Sequence, residues 1–198
     1  MSISDSFPEM APSLPSFINI CHRLYEKEFV CAYDGNVSMR FDDHILVTPT
    51  HLCKGDVAED DLIVVDLSGA QVYGKRRPSS ELKMHLAVYA RQPETRCVIH
   101  AHPLYATAVY REGREVRAAL LMEAEMSLGT VPVVPFIAPG SQALADAVGE
   151  AMAGDVRACV MEKHGVVTSG ETLETTYFLL ESLERLAKTE MIVAAGTL

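Results

Sequence analysis

Basic residues are scarce in this sequence relative to acidic ones. The chain has 17 lysines and arginines against 27 aspartates and glutamates, which gives a formal charge of −10 at pH 7. We therefore expect no nucleic-acid partner, because phosphate backbones bind to basic surfaces. A small anionic substrate is still compatible with this charge, since its binding needs only a few local donors.

The sequence also lacks the features of an exported or membrane-bound protein. No apolar run approaches the roughly 20 residues of a transmembrane helix, and residues 1–15 have neither the basic start nor the apolar stretch of a signal peptide. The five cysteines are widely spaced and form no C-x-x-C pair. Such usage is typical of reduced thiols, so we expect a soluble cytoplasmic protein without a membrane partner.

The remaining composition is that of one folded domain. A chain of 198 residues is long enough to enclose its own core. Hydrophobic residues make up 48% and charged residues 22% of the sequence, which excludes global disorder. We expect a single domain over residues 1–198, in which the Pro/Ser-rich residues 1–15 form a flexible lead.

Helices and strands are predicted to alternate along the chain. Predicted helices cover residues 16–29, 82–91, 104–111, 142–152 and 171–193, and predicted strands cover 37–41, 45–48, 62–67, 96–99, 131–137 and 157–161. The first two strands form a predicted hairpin, residues 168–170 a turn, and residues 116–121 fit either a strand or a helix. Two prolines make strand 131–137 an edge or an irregular strand. The alternation indicates an α/β or α+β fold, layered around one sheet.

Two histidines stand two residues apart where a predicted strand ends. Side chains alternate between the faces of a strand, so His100 and His102 are expected to point the same way. Two adjacent imidazoles are half of a tetrahedral zinc site. The alternative is that one histidine is a hydrogen-bonded core residue and the other faces solvent.

His164 is the best candidate for a third ligand. It lies where a buried strand gives way to Gly165, whose backbone can approach an ion closely. The alternative is a surface histidine in a turn. His85 is the reserve ligand, because it lies four residues after Glu81 and shares its helix face. The other histidines are weaker candidates and are expected on helix surfaces or in turns.

Three further polar clusters lie at the ends of predicted elements. Glu81 follows Ser79 and Ser80 at a helix start, where a serine is the expected N-cap. A carboxylate there is either a stabilising charge or a proton shuttle beside zinc, and the serines are candidates for an anion site. The pairs Gly35-Asn36 and Thr50-His51 offer more donors, although turn chemistry alone also explains them.

Taken in order, these clusters resemble the class II aldolase/adducin family. The matching segments are Gly35-Asn36-Val37-Ser38-Met39-Arg40, Thr48-Pro49-Thr50, Pro78-Ser79-Ser80-Glu81, Val98-Ile99-His100-Ala101-His102 and Lys163-His164-Gly165. Each segment alone is a weak signal, but the ordered set is specific. The resemblance extends over nearly the whole chain.

The resemblance implies a three-layer α/β/α fold around a central, mainly antiparallel sheet, and a homotetramer with active sites at subunit interfaces. It implies that His100, His102 and His164 bind a divalent metal, zinc in the first place and manganese or cobalt as alternatives. It implies that Glu81 is both the fourth metal ligand and the catalytic acid/base. The residues that would hold the phosphate of a small sugar substrate are Gly35, Asn36, Thr50, His51, Ser79 and Ser80.

The implied activity is that of a class II aldolase, a lyase of carbohydrate metabolism. Zinc would stabilise the enediolate of dihydroxyacetone phosphate, and Glu81 would remove the proton next to the carbonyl. The enediolate would then attack an aldehyde, and cleavage of a phosphorylated ketose is the reverse reaction. Related ribulose-5-phosphate 4-epimerases carry aspartate at the position of Glu81, so glutamate favours the aldolase branch.

The sequence departs from the family pattern at three points. His51 stands where the family has glycine, and Leu121 stands where aldolase members have a tyrosine that protonates the aldehyde oxygen. The chain also stops at Leu198, before a segment that supplies a second tyrosine. Tyr105 and Tyr110 are the nearest tyrosines by sequence. We expect these departures to leave the metal chemistry intact and to change the handling of the aldehyde.

Two other functions fit the same residues. A decarboxylase or dehydratase acting on a sugar acid or sugar phosphate would also pass through a metal-bound enolate. An adducin-like binding module would keep the fold without the chemistry. The complete set of three histidines and one glutamate argues against the binding module, because such a module need not keep its ligands.

Overall fold

The centre of the protein is a sheet of eight strands. The computed structural model describes residues 2–110 and 116–196, and in chain order its strands are β1 Asn36–Phe41, β2 His44–Val47, β3 Ile63–Asp66, β4 Gln71–Tyr73, β5 Cys97–Ala101, β6 Val133–Val134, β7 Ala158–Met161 and β8 Gly165–Gly170. Their order across the sheet is β4-β3-β2-β1-β5-β8-β7-β6. Only β6 and β7 pair in parallel, which confirms a mainly antiparallel sheet.

Helices cover both faces of this sheet. They are α1 Ile3–Ser6, α2 Leu14–Glu26, α3 Leu82–Arg91, α4 Leu104–Val109, α5 Met122–Leu128, α6 Gln142–Ala151 and α7 Leu173–Ala194. Because strand side chains alternate, Leu46 joins a core with α2 and α7, whereas Ile45 and Val47 join a second core with α3 and α6. The predicted three layers are therefore confirmed. Among the described residues, no helix is long and apolar enough to cross a membrane.

Several predicted elements agree with the structure, with ends that shift by one to three residues. The hairpin of β1 and β2 pairs Phe41 with His44, and β6 is an edge strand as its prolines predict. Residues 116–121, which fit a strand or a helix, contain a 3-10 turn over Ala118–Leu120. The predicted end of α4 at Arg111 lies outside the described residues. Neither β4 nor α5 was predicted.

The expectation that residues 1–15 form a flexible lead is corrected by the structure, because residues 2–13 pack against the core. Ser2 and Asp5 form a capping box at the start of α1, which satisfies free amides at the helix end. The side chains of Ile3 and Met10 are 1% and 0% exposed. Burial of these apolar side chains holds the lead in place, although its prolines and serines suggest a loose segment.

The predicted turn at residues 168–170 is also wrong, since these residues belong to β8. Thr168 pairs with Ile99 of β5 on one side and with Ala158 of β7 on the other. The hydroxyl of Thr168 donates to the carbonyl of Thr176, and that of Ser169 donates to the amide oxygen of Gln92. With these partners the two side chains can be buried in a central strand at little cost.

Candidate metal centre

Three imidazoles converge at one end of the β5–β8 pair. His100 lies on β5, His102 follows that strand, and His164 ends the turn from β7 to β8. One ring nitrogen from each lies within 4.8 Å of the other two, and the ring centroids are 4.7 to 5.3 Å apart. The predicted common direction of His100 and His102 is confirmed. These nitrogens are close enough together to bind one ion.

Hydrogen bonds at the outer ring nitrogens determine which atoms face the cluster. His100 Nδ1 lies 2.9 Å from the carbonyl oxygen of Val166, which only accepts, so this nitrogen is the donor. His102 Nδ1 lies 3.3 Å from Asp34 Oδ2. A ring whose only proton is on Nδ1 carries a lone pair on Nε2, and the two Nε2 atoms are 3.0 Å apart. Two lone pairs at this distance repel each other, and a cation bound between them removes that repulsion.

Burial keeps two of the imidazoles neutral. It lowers the pKa of His100 well below the ordinary value, and the charges of His102 and His164 lower it further. Burial, with a smaller effect from His102, lowers the pKa of His164 to about 4. Neutral imidazole is the form that coordinates metal. The site therefore does not have to lose protons from these two rings at neutral pH.

Glu81 lies near this cluster but outside the group of three ligand atoms. Burial raises the pKa of its carboxyl, while a bond from the backbone N–H of Gly140 and the charge of His102 oppose that rise. Glu81 itself is the N-cap residue of α3, and its N–H bonds to Ser79 Oγ. The predicted serine N-cap is therefore wrong, because the helix starts one residue after Glu81. The role of Glu81 as a fourth ligand stays a prediction.

Two buried polar atoms at this centre make no hydrogen bond to any residue that the structure describes. They are Nδ1 of His164 and Oε2 of Glu81. Buried nitrogen and oxygen atoms without partners are rare and call for an explanation. Both are atom types that bind divalent cations, so the donor set fits a metal ion.

Gly165 packs directly against both histidines that precede α4. A Cβ atom at this position would lie 2.6 Å from His102 Cδ2 and 2.4 Å from the carbonyl oxygen of Ala101. No other residue type fits here without moving the imidazoles. The atoms nearest to this Cβ are the Ala101 carbonyl oxygen and one carbon of each of the two rings. The predicted close approach of the Gly165 backbone to an ion stays a prediction.

Two of the predicted substrate loops are paired. The backbones of Pro49 and Pro78 form an isolated antiparallel bridge. On either side of it, the N–H of Thr50 donates to Arg77 and the N–H of Ser79 donates to Thr48. Thr50-His51 and Ser79-Ser80 therefore lie side by side. Because the Thr50 amide is already bonded, phosphate donors must come from other groups of these loops.

The Gly35-Asn36 segment lies beside the backbone of His100, with which Asn36 pairs. Gly35 has φ +67°, and a Cβ atom there would lie 3.0 Å from the carbonyl oxygen of His100. His51 has φ +55°, a left-handed conformation that normally favours glycine. This backbone conformation is compatible with the glycine that the family resemblance implies at position 51. The imidazole is exposed and makes an edge contact with the Tyr33 ring.

His85 is not a reserve metal ligand, because its ring is buried and bonded elsewhere. Its Nε2 donates to the side-chain oxygen of Asn36, and its Nδ1 lies 2.7 Å from the hydroxyl of Ser38. Ser38 in turn bonds to the Tyr89 hydroxyl at 2.7 Å. These bonds fix the amide of Asn36, so that its NH2 group faces away from His85. The expectation that His85 lies on a helix surface is also wrong.

Sequence reasoning missed two residues that touch the centre, Asp34 and Gly140. Asp34 lies behind His102, and the N–H of Gly140 bonds to Glu81. The only feature of the sequence that could have pointed to Asp34 is its place directly before Gly35-Asn36. Of the nearest tyrosines, Tyr110 is fully buried and donates to Glu190 at 3.0 Å, so it does not face a substrate.

A cavity of about 400 Å³ opens beside His102. Its walls are His102, Leu104, Thr107, Ala108 and Lys163. The hydroxyl of Thr107 is buried without a hydrogen-bond partner among the described residues. The Lys163 ammonium lies 3.4 Å from Glu162 and 6.0 Å from the centroid of the Phe136 ring. The cavity therefore combines apolar side chains with the Lys163 ammonium, next to a candidate metal ligand.

The fold and the site together define a class of protein. The family described as Class II Aldolase and Adducin N-terminal domain matches residues 16–191. The chain belongs to this family, and it is a lyase of the class II aldolase type.

Several individual proteins of this family are similar to the chain over most of its length. The chain is 37% identical over 180 residues to the L-fuculose phosphate aldolase of Methanococcus vannielii, covering 91% of this chain and 96% of that one. It is 32% identical to the 3-oxo-tetronate 4-phosphate decarboxylase of Pectobacterium atrosepticum, over 83% and 77% of the two chains. The crystal structure of L-fuculose-1-phosphate aldolase from Thermus thermophilus superposes with a TM-score of 0.82 at 29% identity, covering 92% and 94%.

Proposed function

We propose that this protein is a metal-dependent aldolase that reversibly cleaves a phosphorylated ketose, similar to L-fuculose 1-phosphate, to dihydroxyacetone phosphate and an aldehyde. The observation that carries the proposal is the convergence of His100, His102 and His164 beside a buried carboxylate and three polar loops. The similarity to curated L-fuculose phosphate aldolases supports it.

The proposed metal ligands are His100, His102, His164 and, in the resting state, Glu81. Three nitrogen donors and one carboxylate suit zinc best, with manganese or cobalt as alternatives. When bound, the ion supplies a Lewis acid that lowers the cost of negative charge on the substrate oxygens.

Glu81 is the proposed acid and base. In the aldol direction its carboxylate accepts a proton from the carbon next to the carbonyl of dihydroxyacetone phosphate. That carbon then forms the new bond to the aldehyde carbon, and the aldehyde oxygen takes up a proton to become a hydroxyl, so one proton is removed and one delivered. The raised pKa of Glu81, which burial causes, suits a group that must hold a proton between steps.

The phosphate is proposed to bind where the three loops meet. The contributing residues are Gly35, Asn36, Thr50, His51, Ser79 and Ser80. The amide of Asn36, held by His85, and the hydroxyl of Ser80 supply donors without a basic surface. The imidazole of His51 adds a donor that a glycine would lack, which supports a substrate with a phosphate dianion.

The cavity beside His102 is the proposed place of the aldehyde, with Lys163 as a donor to the aldehyde oxygen. We expect Lys163→Met to raise the KM of the aldehyde about tenfold, as for loss of a charge-assisted bond, and to leave the KM of dihydroxyacetone phosphate unchanged. Initial rates with each substrate varied in turn measure both constants. Lys188→Met on α7 is the control, and an equal rise in both KM values would contradict this assignment.

We also propose a cytoplasmic homotetramer with active sites at subunit interfaces. Leu104 and Phe136 are 69% and 55% exposed, and they flank the metal centre through the cavity and through Lys163. Large apolar side chains at such a position favour contact with another subunit.

The decisive experiment is carbon–carbon bond formation. Metal-loaded protein is incubated with dihydroxyacetone phosphate and a panel of short aldehydes, and the products are identified by NMR. We expect a phosphorylated ketose with L-lactaldehyde or a close analogue, and no product after the metal is removed by a chelator. Absence of a new carbon–carbon bond with every aldehyde would reject the aldolase.

Decarboxylation is the second candidate. It is favoured by the similarity to a 3-oxo-tetronate 4-phosphate decarboxylase and by Leu121, which replaces the tyrosine expected of an aldolase. The same protein incubated with a phosphorylated 3-oxo sugar acid would then release carbon dioxide, and this product distinguishes the two reactions.

A further inference from the structure

A carboxylate stands directly behind one of the three histidines. Asp34 lies in the loop that precedes β1, and its Oδ2 is 3.3 Å from Nδ1 of His102. The corresponding nitrogen of His100 bonds to the backbone carbonyl of Val166. The two neighbouring imidazoles therefore have different acceptors, one charged and one neutral.

The Asp34 side chain is fixed by its own loop. Its second oxygen, Oδ1, accepts the N–H of Cys31 at 2.5 Å, and its backbone N–H donates to the Cys31 carbonyl at 3.0 Å. The intervening Ala32 has φ +48°, which closes the turn. The carboxylate is therefore aimed at His102 before any ligand binds.

A buried lysine supports the same loop. Lys54 is 1% exposed, and its ammonium donates to the carbonyls of Leu52 at 2.7 Å and of Tyr33 at 3.5 Å. Its charge also lowers the pKa of the Asp34 carboxyl, as the smallest of several causes. A buried ammonium is retained only where it is compensated. Lys54 thus joins the loop of Thr50-His51 to the residue just before Asp34.

We infer that Asp34 is a positioning residue for the metal centre. Its carboxylate accepts the Nδ1 proton of His102, which turns Nε2 of that ring towards the ion shared with His100 and makes this nitrogen a stronger donor. Asp34 also directly precedes Gly35 and Asn36, so one loop positions both a metal ligand and the phosphate donors. The inference rests on the proposed function for the presence of the metal.

The pair itself is partly exposed, at 27% for His102 and 30% for Asp34. Ion pairs with such exposure contribute little to folding stability. A purely structural role thus predicts that removing the carboxylate changes neither metal affinity nor ligand field. A positioning role predicts that both change while the metal-free protein stays equally stable.

The test compares wild type with Asp34→Asn, Asp34→Ala and the control Asp43→Asn, which removes an equal charge from the exposed turn between β1 and β2. Each full-length protein is stripped of metal, and its Zn²⁺ dissociation constant is measured by competition with a chromophoric chelator. We expect Kd to rise about 10-fold in Asp34→Asn and up to about 100-fold in Asp34→Ala. Asp43→Asn should match wild type.

Cobalt supplies a second readout. The visible absorption of the Co²⁺-loaded protein reports the ligand field, and we expect its bands to shift in Asp34→Asn but not in Asp43→Asn. Melting of the metal-free proteins controls for folding. If metal-free Asp34→Ala melts at a lower temperature than wild type, the Zn²⁺ affinity and Co²⁺ spectrum of Asp34→Asn are used for the conclusion. The amide of asparagine keeps the size of the side chain and one hydrogen-bond acceptor.

The outcomes separate the two proposals. If the wild-type protein binds no divalent metal, both the proposed function and this inference are rejected. Wild type that binds Zn²⁺ while both Asp34 variants keep its Kd and its Co²⁺ spectrum overturns this inference alone.

Discussion

Single residues around the centre differ chiefly in whether their polar atoms already have partners. The outer nitrogens of His100 and His102 are bonded, whereas a nitrogen of His164 and an oxygen of Glu81 are buried without partners among the described residues. Atoms of the first kind orient the site. Atoms of the second kind are candidates to bind metal or to move a proton, as are the Nε2 atoms of His100 and His102.

Glu81 offers the sharpest test at this scale. Glu81→Gln keeps the size of the side chain but removes the acid and base, so we expect turnover to fall by about 10²–10⁴. Metal content, measured by elemental analysis, should stay near that of wild type because three histidines remain. Glu174→Gln on the exposed side of α7 is the control. Turnover by Glu81→Gln at the wild-type rate would rule out Glu81 as the proton shuttle.

His85 predicts a dependence of stability on pH. Burial lowers the pKa of His85 from 6.5 to about 3, so between these values a proton binds the unfolded chain and not the folded one. The contribution of neutral His85 to the free energy of unfolding is therefore fully present above pH 6.5, and it is lost as the pH falls towards 3. We expect the advantage of metal-free wild type over His85→Gln to shrink by about 1.4 kcal/mol per pH unit between pH 6 and 4, and by about half of that between pH 7 and 6.

Urea unfolding of both metal-free proteins at pH 7, 6, 5 and 4 measures this difference. His100 and His164 are present in both, so their titration cancels. An energy gap that is the same at all four values would contradict the buried neutral state of His85.

At the scale of elements, the centre depends on the pairing of β5 with β8. This pairing sets Ala101 opposite Val166 and His100 opposite Val167, which brings the turn that carries His164 next to both earlier histidines. The bridge between Pro49 and Pro78 does the same for two substrate loops. Each contact joins segments that are distant in sequence.

Gly165→Ala tests how closely these elements approach. The added methyl would lie 2.6 Å from the His102 ring, so the imidazole must move. We expect a loss of Zn²⁺ affinity of at least about tenfold and a loss of stability of about 1–3 kcal/mol, measured by chelator competition and urea unfolding. Gly149→Ala on α6, whose Cβ would contact Ala87 at 3.1 Å, should keep the wild-type affinity. Equal affinity in both variants would argue against the tight packing at Gly165.

At the scale of the whole molecule, two cores hold the sheet between helical layers. The core with α2 and α7 and the core with α3 and α6 use alternate residues of the same strands. The candidate metal centre lies at one end of this sheet, where loops from several strands meet. Exposed Leu104 and Phe136 lie at this end, whereas Leu67 follows β3 at the opposite end.

The proposed tetramer predicts a mass of four times the 21.6 kDa chain by light scattering. We expect Leu104→Asp to lower the mass and the activity together, because a charge there opposes burial against another subunit. Leu67→Asp removes an equally apolar side chain, 51% exposed, and should leave the mass unchanged. A wild-type mass of one chain would reject the tetramer.

Much of this architecture was predictable because it depends on local patterns. The alternation of side chains along a strand predicted that His100 and His102 point the same way. The spacing of apolar residues predicted helices α2, α3, α6 and α7 to within a few residues of their observed ends. The proline pair gave the edge position of β6. The buried packing of residues 2–13 and the strand at 168–170 were not predictable, because both depend on partners far along the chain, such as Thr176 and Gln92 for the hydroxyls of β8.

The residue types of the site and their local spacing can be taken from the amino-acid order alone, as three histidines, one glutamate and three polar turns in the order of the family. The bond from His85 to Asn36, the place of Asp34 behind His102 and the burial of Glu81 beside Gly140 become visible only in the folded protein. This is because periodicity reports which face a side chain occupies. Its partner on that face depends on strand order and loop pairing, which are contacts between distant segments.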